Sequence, residues 1–95
     1  MKEKVLPLLK ARLGVSTSVR DSLFNALIDG IVGDCKDTHG IILEPDNPAH
    51  IMLVLDWGTW KYNHPEDGTT PRSIQYRLKN LIIKKAGEAS GTDLE

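Results

Sequence analysis

The chain has few of the features that stabilise secreted domains or span bilayers. It contains a single cysteine in 95 residues, so an internal disulfide is impossible. Its longest apolar run, residues 51–55, is far shorter than the roughly 20 residues that cross a membrane. Residues 1–4 lead into no apolar stretch of the signal-peptide type. We therefore expect a domain without a membrane segment or a secretion signal, held together by packing alone.

A large excess of charge of one sign is also missing. Thirteen acidic residues nearly balance twelve basic ones, and the formal net charge is −1. This balance provides no global attraction to nucleic acid. With 40% hydrophobic residues, a chain of this length can bury one small core, so we expect neither a second domain nor a large catalytic cleft.

Residues that build catalytic or metal centres are sparse. Cys35 and His39 are four positions apart and could share a helix face, but a structural zinc takes four ligands, and neither His50 nor His64 has a spacing that completes a set. The sequence contains no Gly-rich phosphate loop, nucleophile elbow, HExxH pair or acidic calcium loop. We therefore predict that the protein is not an enzyme and holds no metal or cofactor.

The patterning predicts an all-α domain of four helices, because alternation with period 2 is rare. Turn signals divide the chain into a helical domain, 1–87, and a flexible C-terminal tail, 88–95, in which 94–95 could be a cloning remnant. The predicted helices are 2–13, 18–39, 49–62 and 71–86.

Local signals mark the ends of these helices. We expect Gly14 to stop the first helix and Gly40 the second, and Ser18 to cap the start of the second. Asn47 with Pro48, and Thr70 with Pro71, each read as an N-cap followed by a proline in the first turn. Pro7 is compatible with a helix that begins near residue 4, whereas an earlier start predicts a kink.

The second and third helices carry most of the expected core. The second has one apolar stripe that includes Leu27 and Ile31, and we expect Gly30 and Gly33 to permit a close helix contact or local curvature. The third is apolar on nearly every side and is predicted to be central. Asp56, inside it, is expected to face solvent or to pair with a cation of the last helix, Arg77 or Lys79.

The last predicted helix is basic and contains no acid. Five positive residues in one helix leave open a small nucleic-acid-binding domain. Aromatic interleaving of the kind that single-strand binders use is lacking, and the preceding gap, 63–70, is too long for a helix-turn-helix. The basic residues are Arg72, Arg77, Lys79, Lys84 and Lys85.

Two segments near the C-terminal end carry a resemblance to a known family. They are 56–63, DWGTWKYN, and 71–82, where PR is followed after two residues by QYRLKNLI. In order, spacing and small size they resemble the head-tail connector (adaptor) proteins of tailed phages and prophages. In that family a helix ending in aromatic-x-Tyr-Asn precedes a loop and a proline-led helix with Arg-Leu-x-Asn-Leu. The resemblance covers about 23–85.

The resemblance implies a structural virion protein, made in the bacterial cytoplasm and located at the head-tail junction. Such subunits form a ring beneath the portal protein, contact a tail-side completion protein and extend the channel through which double-stranded DNA passes without sequence-specific binding. Asn80 would be a helix-surface or helix-pairing group and Asn63 would stand at the loop entrance. The residues that the resemblance places in the core are Trp57, Trp60, Tyr62, Leu78 and Leu81.

We further predict which residues meet neighbouring subunits or partners. Acids of the second helix and bases of the last would pair between subunits that are mostly monomeric when free. The tail after Gly87 is a candidate binding arm for the portal. A regulatory interaction domain remains an alternative, as does the nucleic-acid binder. The predicted interface residues are Asp29, Asp34, His64, Glu66, Asp67, Arg72, Arg77, Lys84 and Lys85.

Overall fold

Four α-helices account for the secondary structure of residues 1–94, the part of the chain that the computed structural model describes; side chains are described for residues 1–85. The all-α, four-helix prediction is confirmed. The expected flexible tail, 88–95, falls outside the described side chains. The helices are α1 (Lys2–Leu13), α2 (Asp21–His39), α3 (Pro48–Asn63) and α4 (Arg72–Leu94).

The apolar helix α3 packs against all three other helices, as its pattern predicts. It runs antiparallel to α2: the ring of Phe24 near the start of α2 lies 5.3 Å from that of Tyr62 near the end of α3, and Ile31, later in α2, lies against Gly58, earlier in α3. Gly58 faces both other N-terminal helices: a Cβ there would lie 3.7 Å from a methyl group of Leu9 and 3.8 Å from one of Ile31. The centre of the core is therefore where α1, α2 and α3 cross.

The buried core contains several of the predicted core residues together with other apolar residues. Ile31, Trp57 and Leu78 are buried, and Leu27, Tyr62 and Leu81 pack against them while partly exposed. Trp60 is only partly buried and stacks on the ring of His64, with 4.6 Å between the ring centroids. The other fully or nearly fully buried apolar residues are Val5, Leu9, Phe24, Ile28, Cys35, Ile41, Leu43, Leu53, Val54, Leu55 and Ile74.

Glycines end the first two helices in the predicted way. Gly14 and Gly40 have φ of 72° and 66°, the left-handed conformation that only glycine adopts without strain. In each case the amide of the following residue closes the helix: Val15 donates to the carbonyl of Lys10 at 2.9 Å, and Ile41 to that of Cys35 at 2.9 Å.

Helix starts agree with the sequence only in part. Asn47 caps α3 as predicted, since its side chain accepts a hydrogen bond from the Ala49 amide at 2.9 Å. The cap predicted at Ser18 is wrong, because the Ser18 carbonyl instead accepts the amide of Asp21 in a turn and α2 begins at Asp21. Helix α4 begins at Arg72, one residue later than predicted, and extends to Leu94 rather than ending near 86.

For two other local features the sequence left alternatives open, and the structure excludes one of each. A Cβ at Gly30 or Gly33 would meet no atom within 4 Å, so neither glycine permits a close helix contact. Pro7 lies inside α1, which begins at Lys2, so its missing N–H leaves the Glu3 carbonyl without its usual helical donor. None of the helices, over the described residues, has the combined length and apolarity that crossing a membrane requires.

Candidate functional site

Asp56 joins three helices. It lies on α3, and its two carboxylate oxygens accept hydrogen bonds from Arg12 of α1 at 2.5 Å and from Arg77 of α4 at 2.6 Å. Partial burial opposes the charged carboxylate, but the two guanidinium groups outweigh it and lower the pKa of Asp56 below its usual value. Pairing with Arg77 is one of the predicted alternatives. Pairing with Arg12 is not predicted from the sequence, because Arg12 and Asp56 are 44 positions apart.

One face of α4 points away from the bundle. Its residues lie opposite the buried Ile74 and Leu78 at the spacing i, i+4, i+7, i+8 and i+11, and all of them are exposed. Two are large and apolar: Tyr76 is 65% and Ile83 58% exposed. We call this surface the α4 outer face, and it consists of Arg72, Tyr76, Lys79, Asn80 and Ile83.

The remaining cations of α4 do not share this face. Arg77 is held by Asp56, as described above. The ammonium of Lys85 donates a hydrogen bond to the carbonyl of Gly40 at the end of α2, at 2.7 Å. Lys84 makes no ion pair with the described residues. Two basic residues of this helix, Arg77 and Lys85, therefore make contacts within the protein. Arg72 and Lys79 lie on the α4 outer face, and Lys84 lies on another side of the helix.

Local hydrogen bonds shape the loop between α3 and α4. His64 closes α3: its amide and its ring Nδ1 both lie 2.9 Å from the Trp60 carbonyl. The carboxylate of Asp67 accepts the hydroxyl of Thr69 at 2.6 Å and the amide of Thr69 at 2.9 Å, which lowers the pKa of Asp67. Glu66 is exposed between these contacts.

A groove of about 700 Å³ lies beside this loop, where α2 begins and α3 ends. Leu23, which is half exposed, and Leu27 form its α2 side. Lys61 and Asp67 place one charge of each sign at the rim. The groove therefore offers apolar area without a net charge to select a partner.

A second groove, of about 370 Å³, lies where α4 passes the segment that connects α2 to α3. The groove lies beside the N-terminus of α3, and it is lined by lysines, a buried imidazole and aliphatic side chains. We call it the α4 groove. Its principal residues are Ile42, Glu44, His50, Leu81, Lys84 and Lys85.

Three of the four acids of α2 have partners within the described chain, and the fourth, Asp37, is exposed. Asp29 pairs with Lys2 at 3.2 Å, and Asp34 accepts a hydrogen bond from the hydroxyl of Thr38 at 2.9 Å. Asp21 pairs with the ammonium of Lys10 at 2.8 Å. None of these acids meets a base of α4 among the described residues. The predicted interface residues thus occupy several surfaces and form no single cluster.

Cys35 lies in the core, and burial first, then the charge of Asp34, raises the pKa of its thiol to about 11. A thiol with such a pKa is almost wholly protonated at neutral pH and is a poor nucleophile and metal ligand. Among the described residues, no three histidine, cysteine or acidic side chains come together as a metal-binding group.

Comparison with protein-family models, with curated proteins and with solved structures yields no match. The functional reading of the chain therefore rests on its own residues. Three surfaces of the described residues could bind a partner: the α4 outer face, the α4 groove and the groove beside the loop between α3 and α4.

Proposed function

We propose that this chain is a head-tail connector subunit, a structural protein that assembles into a ring beneath the portal of a tailed phage or prophage. The resemblance of 56–63 and 71–82 to connector proteins supports this proposal. The structural observation that carries it is the α4 outer face, since it lies on the proline-led helix where the resemblance is most extended.

The α4 outer face has the composition of an interaction surface. Tyr76 lies one turn from both Arg72 and Lys79, and Ile83 lies one turn beyond Lys79, so apolar and cationic residues alternate along this face. Burying a large apolar side chain contributes about 1.5–3 kcal/mol. Two such residues give useful affinity only when many copies are held side by side, as in a ring that assembles on a template.

The internal ion pairs are also consistent with a subunit that folds before it assembles. Asp56 and its two arginines tie α1, α3 and α4 together, and Asp29 is paired with Lys2. A ring contact would therefore use charges that form no ion pair with the side chains of residues 1–85, among them Arg72, Lys79 and Glu66. Connector chemistry needs no catalytic residue, because the ring only positions its partners.

Co-expression with the portal protein encoded beside this gene tests the proposal. The portal ring should retain the wild-type chain, and Tyr76→Ala combined with Ile83→Ala should abolish retention while leaving the helical circular dichroism unchanged. Leu8→Ala is the matched control, because Leu8 is an exposed leucine on α1. Gene neighbours unrelated to capsids and tails, or equal retention of the double variant, would refute the proposal.

A second candidate, a nucleic-acid-binding domain, is favoured by Arg72, Lys79 and Lys84, which form no ion pair among the described side chains. Binding through these groups would release counterions and would weaken steeply as salt rises. Retention on duplex DNA at low salt, lost in a variant with all three residues changed to glutamine, would support this candidate against the connector.

A further inference from the structure

The imidazole of His50 is a largely buried polar group that lines the α4 groove. It is only 8% exposed, yet it lines the groove. Its Nδ1 accepts a hydrogen bond from the backbone amide of Glu44 at 2.9 Å, so the proton of the neutral ring is on Nε2. Nε2 donates to no acceptor among the described residues. The Nε2 N–H of this largely buried residue is thus available to a ligand that enters the groove.

Two lysines and one acidic residue, Glu44, line the groove with this donor. Lys84 lines the groove without an ion pair among the described side chains, and Lys85 uses one N–H on the Gly40 carbonyl and keeps two. The N-cap residue of the 16-residue helix α3, Asn47, also lines the groove, so the positive end of the helix dipole lies beside it. The groove is therefore built for a negatively charged group.

The walls of the groove narrow the choice of anion. Ile42 is 69% exposed and Leu81 is partly exposed, so a ligand gains most if an apolar part accompanies its charge. Glu44 also lines the groove and reduces the charge of its two lysines to a net +1, which one carboxylate is enough to neutralise. These two features favour a carboxylate carried on an aliphatic surface.

We propose that the α4 groove binds an acidic side chain of a partner protein, with flanking aliphatic residues packed on Ile42 and Leu81. The carboxylate accepts hydrogen bonds from His50 Nε2 and from the ammonium groups of Lys84 and Lys85. This site is separate from the α4 outer face, and it does not depend on the connector proposal because its chemistry follows from the groove alone.

Titration of the full-length, ¹⁵N-labelled protein with the blocked peptide acetyl-Leu-Glu-Leu-amide tests this inference by NMR. Signals of Ile42, Lys84 and the His50 side chain should shift together, and the His50 Nε2 proton should become protected from exchange. The isosteric peptide acetyl-Leu-Gln-Leu-amide should bind about tenfold more weakly, because it lacks the charge.

Two exposed positions supply the variants, so that folding is preserved. Lys84→Gln should weaken binding of the acidic peptide about tenfold, and Ile42→Ala should weaken it by a smaller factor, about threefold. Lys4→Gln is the matched control, since Lys4 is an exposed lysine on α1 outside the groove, and it should bind as the wild type does.

Further outcomes overturn the inference. Equal binding of the Glu and Gln peptides would show that the groove does not select a carboxylate. Tighter binding of inorganic phosphate or of a short DNA duplex at the same resonances would make it a phosphate site. Absence of shifts with every probe would show that the groove has no anion-binding role.

Discussion

Asp56 links three helices through its ion pairs with Arg12 and Arg77. A carboxylate placed in an otherwise apolar helix is costly unless it is paired, and here it accepts hydrogen bonds from two arginines. All three side chains are about one-third exposed, so water screens their attraction. The cluster therefore acts as a moderate electrostatic tie between α1, α3 and α4.

Replacing this carboxylate should produce a pH-dependent loss of stability. Asp56→Asn is expected to lower the free energy of unfolding at pH 7 by about 1–3 kcal/mol, because hydrogen bonds to a charged group are lost. Since folding lowers the pKa of Asp56, its contribution is complete above the ordinary value of 3.8 and is lost as the pH falls through the folded-state pKa.

Urea unfolding of the wild type and Asp56→Asn from pH 7 to pH 2.5 measures this effect, and the two stabilities should converge below about pH 4. Asp46→Asn is the control, because Asp46 is exposed in the turn before α3 and should show no such difference. A difference that stays constant down to pH 2.5 would contradict the electrostatic role.

The two tryptophans of α3 should differ in their effect on stability. Trp57 is 1% exposed, and Trp57→Ala is expected to cost about 3–5 kcal/mol and to leave much of the protein unfolded. Trp60 is partly exposed and packs on His64 near the helix end, so Trp60→Ala should cost only about 1–2 kcal/mol. Thermal melts by circular dichroism compare them, and equal losses would contradict the burial difference.

At the scale of the elements, α2 contains two glycines that its packing does not need. A Cβ at Gly30 or Gly33 meets no atom within 4 Å, and neither residue has positive φ. Glycine inside a helix is about 1 kcal/mol less favourable than alanine, since it loses more backbone entropy on folding. Helix α2 therefore folds despite these residues, through the packing of its apolar stripe.

Alanine at both positions should stabilise the protein. Gly30→Ala and Gly33→Ala are each expected to raise the free energy of unfolding by about 0.5–1 kcal/mol. Gly40→Ala is the contrasting variant: Gly40 ends α2 with φ of 66°, so alanine there should be destabilising by about 1 kcal/mol. Urea midpoints of the three variants measure this, and destabilisation by the first two would indicate a role for the glycines outside the fold.

At the scale of the whole molecule, the free protein is expected to be a monomer of 10.5 kDa. Asp21 and Asp29 are already paired with lysines of α1, and the two large apolar residues of the α4 outer face offer far less than the roughly 800 Å² per partner of a stable interface. Sedimentation velocity at micromolar concentration should give this mass at low and high salt. A tight dimer that is insensitive to salt would contradict the expectation.

Local sequence determined the positions of the helices and most of the core. Glycines with left-handed φ and the Asn47 cap act within a few residues, so their effect can be read from the chain directly. The apolar surround of α3 likewise identified it as the central helix. The local errors, at Ser18 and at the bounds of α4, concern helix ends, where turns and caps compete at small differences in free energy.

Only the tertiary structure decided which polar groups meet. Arg12 and Asp56 are 44 residues apart, and no periodicity along the chain pairs an arginine at the end of α1 with a carboxylate in α3. The α4 groove arises in the same way: His50, Ile42 and Lys84 belong to three segments that are brought together by packing. Helix formation depends on neighbours in sequence, whereas binding surfaces depend on which distant residues the buried core places side by side.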